Sequence, residues 1–250
     1  MFKPFWLAIQ FLSRFPSIQY DSVTAQDMGR AMNWFPVVGA LIGLLLVVVA
    51  QLYIWLPAQI VAGIVLGFWV WSTGGLHLDG LADTADGWLS SSGDPKKALL
   101  VMKDSLIGTG GGIALVLMLI LKWTVLVVVI DYQAWLFLFL APIVGRISSI
   151  NLMPVTQYVS LNGIAQDMFL HLNRYVLWVW MLLLSVAIIW INPYLFLGLT
   201  LVWFWVRWVM ISITGGMTGD TAGAMIEMME LAWLMGVVIL LINQFGYKLF

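Results

Sequence analysis

The sequence predicts an all-α integral membrane protein with about seven transmembrane helices plus an N-terminal interfacial helix, forming a single domain over residues 1–250. Three observations predict it. Of its 250 residues, 62% are hydrophobic and 9% charged, and the mean hydropathy is +1.00; a soluble domain carries roughly 25% charged residues. Apolar runs near the length of one bilayer crossing, about 20 residues, recur along the chain. Several of the breaks between them are very short, at Pro57, Asp131 and Asn192-Pro193.

Taken in order, Phe2 to Phe15 carries Lys3 and Arg14 and has no small-residue cleavage site. It reads as an amphipathic helix lying in the interface and ended by Pro16. Residues 17–33 are polar, with Asp21, Asp27 and Arg30. Trp34 opens the first span, to Leu56, in which Gly39 and Gly43 form a GxxxG suited to close helix contact. A second span, from Ala58 to about Leu78, leads straight into an acidic stretch. Residues 88–105 form a polar loop, and Gly108-Thr109-Gly110-Gly111-Gly112 opens a third span, to Ile130. A fourth covers roughly Ala134 to Leu152. After the polar loop 154–175, with Asp167, His171 and Arg174, come spans at about Val176–Ile191 and Tyr194–Ile213. A second acidic stretch, Gly215 to Glu230, precedes a last span from about Leu231 to Phe245. The 15 tryptophans read mostly as an interfacial belt and lipid-facing bulk.

Charge excludes some functions and sets an orientation. The net charge of −1 gives no electrostatic case for nucleic acid, and the lack of cysteine excludes disulfides and thiolate chemistry. Lys3, Arg14, Arg30, Lys96, Lys97, Lys103 and Arg174 fall on one side of the expected topology, with Lys248 as a lone exception. The positive-inside rule makes that side the cytoplasm. Both acidic stretches then face the cytoplasm.

The first acidic stretch, Gly74-Gly75-Leu76-His77-Leu78-Asp79-Gly80-Leu81-Ala82-Asp83-Thr84-Ala85-Asp86-Gly87, carries the chemistry. At about 100° per residue, Asp79, Asp83 and Asp86 share a narrow arc of one helix face. Three carboxylates so close repel one another unless a cation lies between them. Mg²⁺ is the natural candidate, because it takes carboxylate oxygens and shares them with substrate phosphates. Gly215-Gly216-Met217-Thr218-Gly219-Asp220 repeats the Gly-Gly-x-x-x-Asp pattern, which sets Glu227 against Asp86 and Ala224 against Asp83. Asp220 and Glu227 share a helical face, and Glu230 lies off it. Lys122 and Arg146 lie within spans, where each can hold a phosphate or pair with an acid. The glycines at 108–112 offer backbone N–H groups that can cradle an anion. His77 is a candidate acid–base group or phosphate donor, while Arg207 reads as structural. Nucleotide-alcohol phosphotransferases, prenyltransferases and diphosphate lyases all fit this pattern, and so does a carboxylate-coupled transporter.

The first acidic stretch resembles the signature of the cobalamin synthase (adenosylcobinamide-GDP ribazoletransferase) family. Further similarity runs through Phe11-Leu12-Ser13-Arg14-Phe15-Pro16, Phe35-Pro36-Val37-Val38-Gly39, Met102-Lys103-Asp104-Ser105, Lys122, Arg146 and Gly215 to Thr221 with Gly223-Ala224 and Glu227. The 158–170 loop keeps Gly163 and Phe169, but matches the family's glycine-rich stretch poorly. Asp79-Gly80-Leu81-Ala82 also resembles the opening of the CDP-alcohol phosphotransferase motif, with Asp83 in place of that family's arginine. The main resemblance implies that α-ribazole, or its 5′-phosphate, attacks adenosylcobinamide-GDP and releases GMP, with Mg²⁺ as cofactor, at the bacterial inner membrane. It implies Asp79, Asp83, Asp86, Asp220 and Glu227 as metal ligands. It also implies Asp83, Asp86, His77 and Glu227 as catalytic groups, and Lys103, Arg146, Arg14, Thr109, Gly110 and Gly111 as substrate-binding groups. The lipid bilayer is the expected surrounding partner, and a homo-oligomer is left open.

Overall fold

The computed structural model describes residues 2–160 and 171–246, so Gly163, Asp167, Phe169 and Lys248 lie outside the described residues. Among the described residues there are eleven α-helices and one isolated bridge, between Tyr158 and Met217.

Helix α1 (Lys3–Leu12) buries Leu7, Ala8, Ile9 and Leu12 against α2 (Ala25–Met32) and the start of α3 (Phe35–Ala50). Ten residues rise only about 15 Å, half the hydrocarbon thickness, so α1 does not cross. Thr24 caps α2: its hydroxyl accepts from the Asp27 N–H, and the Asp27 carboxylate accepts from the Thr24 N–H. The same carboxylate lies 2.6 Å from Lys3 Nζ. The Lys3 hydrogen bond, then that of the Thr24 backbone, holds the Asp27 carboxyl down at about 2.

The seven expected apolar segments are all helical. They are α3 with its 3-10 extension Gln51–Ile54, α4 (Ala58–Thr73), α7 (Thr109–Asp131), α8 (Trp135–Ile150), α9 (Arg174–Ile191), α10 (Pro193–Thr214) and α11 (Gly219–Phe245). Five of them, α3 with its extension, α7, α9, α10 and α11, are each long and apolar enough to cross a membrane. A sixth crossing arises if α4 and the helix after it, α5 (Leu76–Ser91), are one broken span. Helix α8 has 16 residues.

Two boundaries differ from the expectation. The second span does not run straight into the acidic stretch: α4 and α5 meet at an 86° bend. Gly74 and Gly75 both take left-handed backbone there, at φ 65° and 73°, a conformation glycine adopts without steric penalty. The last helix begins at Gly219 rather than near Leu231, so the second acidic stretch is part of a helix of 27 residues. Thr218 caps it through Thr221, and nothing in the following sequence interrupts the helical ladder.

Helix α11 is the central element, packing on α5, α7, α8 and α10. The expected GxxxG contact is present, because Gly39 and Gly43 let α3 lie directly on the α8 backbone at Phe139–Ile143. Indole N–H groups tie several helices together. Trp233 donates to the Phe137 carbonyl at 2.8 Å, Trp203 to Ser148 at 2.9 Å and Trp123 to Gln59 at 3.0 Å. These tryptophans act as inter-helix clasps, whereas Trp55, Trp178, Trp190 and Trp208 are the exposed bulk the sequence suggested. Helices α1, α2, α5 and α6 (Pro95–Val101) gather at the end of the bundle where α7, α9 and α11 begin.

Candidate active site

The site is built on backbone contact between two helices. A Cβ on Gly80 would lie 2.6 Å from the Asp220 carbonyl oxygen and 2.9 Å from its Cα. One on Gly223 would lie 3.2 Å from the His77 Cα. At Gly80 a Cβ would force the helices apart, and the close approach brings the two Gly-Gly-x-x-x-Asp stretches together. Asp79 is exposed, and Asp83 and Asp220 are partly exposed. The negative charges of Asp79, Asp220 and Asp86 all act on Asp83. The convergence expected of these stretches is therefore present for their aspartates.

Asp86 has a different occupation. Its carboxylate is buried and accepts from the Gly108 N–H at 2.8 Å and the Gly111 N–H at 2.9 Å. The anion cradled at the start of α7 is therefore the protein's own carboxylate, not the phosphate expected there. Gly110 and Gly111 pack against α5, whereas Thr109 and Lys103 are exposed beside it. An aspartate so placed satisfies backbone donors at a helix N-terminus, where negative charge is favoured.

Arg14 stands at the bend. Its N–H donates to the Ser72 carbonyl at 2.8 Å, and its side chain covers Gly74 where any Cβ would collide with it. Arg14 and Asp79 line a cavity of about 640 Å³, closed on the α7 side by Leu115 and Leu119.

The interior charges form a group of their own. Lys122 Nζ lies 2.6 Å from Glu227 Oε2 and 2.6 Å from Glu230 Oε2, and Arg146 Nη1 bonds Glu230 Oε1. All four side chains are buried, and Lys122 also sits 4.6 Å from the centre of the Trp69 ring. Arg146 and Glu227 were expected to take phosphate and metal; each instead faces an opposite charge inside the bundle. Two cations and two carboxylates sum to zero, which is how charges survive far from water. Glu230, which lies off the face shared by Asp220 and Glu227, is the acid that holds both cations. Lys122 and Arg146, isolated within apolar spans, were the available signal that two acids had to answer them. His77 lies beside this group, buried, within reach of the Arg146 and Lys122 charges, and neither ring nitrogen has a partner. Arg207 donates to Thr156 Oγ1 at 2.9 Å and to the Val155 carbonyl, the structural role expected of it.

Among the described residues no three His, Asp or Glu side chains are close enough to form a ready-made metal ligand set. The donors at the α5–α11 crossing nonetheless fit Mg²⁺ in kind. They are accessible carboxylate oxygens, and Mg²⁺ is commonly held by one or two of these together with substrate phosphates.

The fold and site thus define a multi-pass helical membrane protein with an acidic helix crossing at one end of the bundle. The chain belongs to the cobalamin-5-phosphate synthase family, whose model matches residues 4–238. It is 41% identical over 242 residues to an adenosylcobinamide-GDP ribazoletransferase of Pseudomonas entomophila, covering 95% of this chain and 99% of the relative. A protein of the same name from Acinetobacter baumannii is 40% identical over 230 residues, covering 91% and 93%. One from Pseudomonas fluorescens is 40% identical over 240 residues, covering 94% and 99%. No solved structure matches the chain.

Proposed function

We propose that this protein transfers the cobinamide phosphate of adenosylcobinamide-GDP to α-ribazole or its 5′-phosphate, releasing GMP, at the cytoplasmic face of the bacterial inner membrane. The observation that carries this reading is the convergence of Asp79, Asp83 and Asp220 in a chain about 40% identical to proteins named for that reaction. Transfer of this kind needs negative charge managed at a diphosphate and a proton taken from an alcohol.

Asp79, Asp83 and Asp220 would hold Mg²⁺, which when bound neutralises diphosphate charge and favours departure of a nucleoside monophosphate. Arg14 and Lys103 meet phosphate oxygens at the exposed rim, with Thr109 as a hydroxyl donor beside them. The ribazole hydroxyl oxygen attacks the phosphorus that bears cobinamide. The bond from that phosphorus to the bridging oxygen breaks, and GMP carries away its electron pair. The hydroxyl proton passes to Asp83. Asp86 holds the start of α7 in register with α5, and His77 supports the crossing from beneath.

The test is GMP release by purified protein given adenosylcobinamide-GDP, α-ribazole 5′-phosphate and Mg²⁺, with each component omitted in turn. GMP appearing only with all components, and lost in a folded Asp83→Asn variant, is the expected result. A folded, monodisperse preparation releasing no GMP with Mg²⁺ or Mn²⁺ would sink the reading. One observation favours a second reading. Lys122, Arg146, Glu227 and Glu230 lie within the bundle, as coupling charges of a transporter do. Flux into sealed vesicles without turnover would support it.

A further inference from the structure

A second polar pocket lies away from the acidic crossing, between α2, the start of α3 and the start of α9. It encloses about 580 Å³, and its basic side chains are Arg30 and His171, beside the amides of Gln26, Asn33 and Asn173. Among the described residues no carboxylate lines it. The nearby acid of α2, Asp27, is already paired with Lys3. Its other walls are apolar and aromatic: Trp34 and Val37 on one side, Val176 and Trp180 on the other.

The pocket is held in shape by specific contacts. Gly29 lets the backbone of His171 rest directly on α2, where a Cβ would lie 2.5 Å from the His171 Cβ. That contact sets His171 beside Arg30. Trp180 Nε1 donates to the Asn33 carbonyl at 3.1 Å, bridging from α9. The Asn173 side chain caps α9 by accepting from the Tyr175 N–H at 3.0 Å. Asn33 Oδ1 is buried and has no donor among the described residues.

Its surroundings identify the ligand class. Helix α9 is the least embedded of the five long apolar helices. Along it Val179 and Leu183 are exposed, and along α3 Leu44 and Val48. A cationic mouth with an indole on each wall thus opens at the bundle end that carries the basic residues, with apolar helix surface beyond it. Basic side chains on this side of a membrane attract anionic lipid, and indoles settle at headgroup depth. A soluble phosphate ester would use Arg30 but leave the apolar walls unmatched.

We infer that this pocket binds one anionic phospholipid, with its phosphate at Arg30 and His171, a headgroup hydroxyl at Asn33, and its acyl chains against α3 and α9. Phosphatidylglycerol carries both the charge and the hydroxyl. The lipid fills the space between α9 and the rest of the bundle. This site is independent of the transferase reading.

The experiment is native mass spectrometry of the full chain released from nanodiscs of equal phosphatidylglycerol and phosphatidylcholine. The unaltered protein should retain phosphatidylglycerol as a one-to-one adduct in preference to phosphatidylcholine. Arg30→Gln should lower that retention about fivefold, the effect of one interfacial charge, and Arg30→Lys should keep most of it. Arg30→Gln should still release GMP at the unaltered rate in phosphatidylcholine alone. Equal retention of both lipids by the unaltered protein overturns the proposal without any variant. So does displacement of the adduct by inorganic phosphate or glycerol 3-phosphate, which would mark a site for soluble phosphate.

Discussion

At the scale of single residues, the division of labour among acids follows from what each one touches. Asp79, Asp83 and Asp220 keep exposed oxygens, Asp86 is spent on amides, and Glu227 and Glu230 are spent on cations. The sequence carried the residue types and the helical arc, so the aspartate cluster was legible. It did not carry the occupation of Asp86, because a glycine-rich helix start looks the same whether its anion comes from solution or from another helix. Nor did it pair Lys122 and Arg146 with Glu230, since those partners are 108 and 84 residues away. Removing one member of the buried quartet leaves an unanswered charge. Lys122→Met should destabilise the protein by about 3–5 kcal/mol. Lys122→Met combined with Glu227→Gln, which keeps the Arg146–Glu230 pair and restores neutrality, should be much less harmful than the single change, which thermal unfolding in detergent would resolve. At the surface, the Lys3–Asp27 pair predicts a pH effect. The Asp27 carboxyl is lowered from its ordinary 3.8 to about 2. Its contribution is therefore present in full above about pH 4 and fades as pH falls through about 2. The pair is part-buried at the surface, where solvent screening keeps the effect small. The melting temperature of the unaltered protein should exceed that of Lys3→Met at pH 6, and the gap should close near pH 2.

At the scale of elements, glycine placement decides which helices meet. Gly39 and Gly43 were readable as a contact surface because the i, i+4 spacing puts both on one face. The α5–α11 crossing was readable only in part. The duplicated motif suggested juxtaposition, but nothing in the sequence marked Gly80 and Gly223 as the points of contact. The 86° turn at Gly74–Gly75 was not legible, since an apolar run followed by a helical acidic pattern is equally consistent with one straight helix. Gly80→Ala tests the crossing. Its methyl would meet the Asp220 backbone, so α5 must shift by a fraction of an ångström. Displacement of that order lowers turnover by up to about 100-fold while leaving the fold intact. Steady-state GMP release set against melting temperature would separate the two effects.

At the scale of the whole molecule, the pattern of basic residues and the fold agree. Lys3, Arg14, Arg30, Lys96, Lys97, Lys103 and Arg174 lie in or beside the elements gathered at one end, and the turns at Pro57 and Asn192-Pro193 lie at the other. Composition alone fixed the class of architecture because the bilayer leaves helices few alternatives. It did not fix the number of crossings, because α8 is short and α4 is broken. The chain contains no cysteine, which provides a clean background for labelling. In intact cells a membrane-impermeant maleimide should label Gln133→Cys and spare Lys97→Cys. Inverted membrane vesicles should give the opposite pattern, and the same pattern in both preparations would overturn the assigned orientation.

The grip of Asp86 on Gly108 and Gly111 joins positions 22 and 25 residues apart into a latch between α5 and α7. The acidic floor is therefore mechanically fastened to a helix that runs the depth of the bundle. Lys122 lies further along that same helix, so one rigid rod is pinned at its first turn by a carboxylate of α5 and at its middle by the carboxylates of α11.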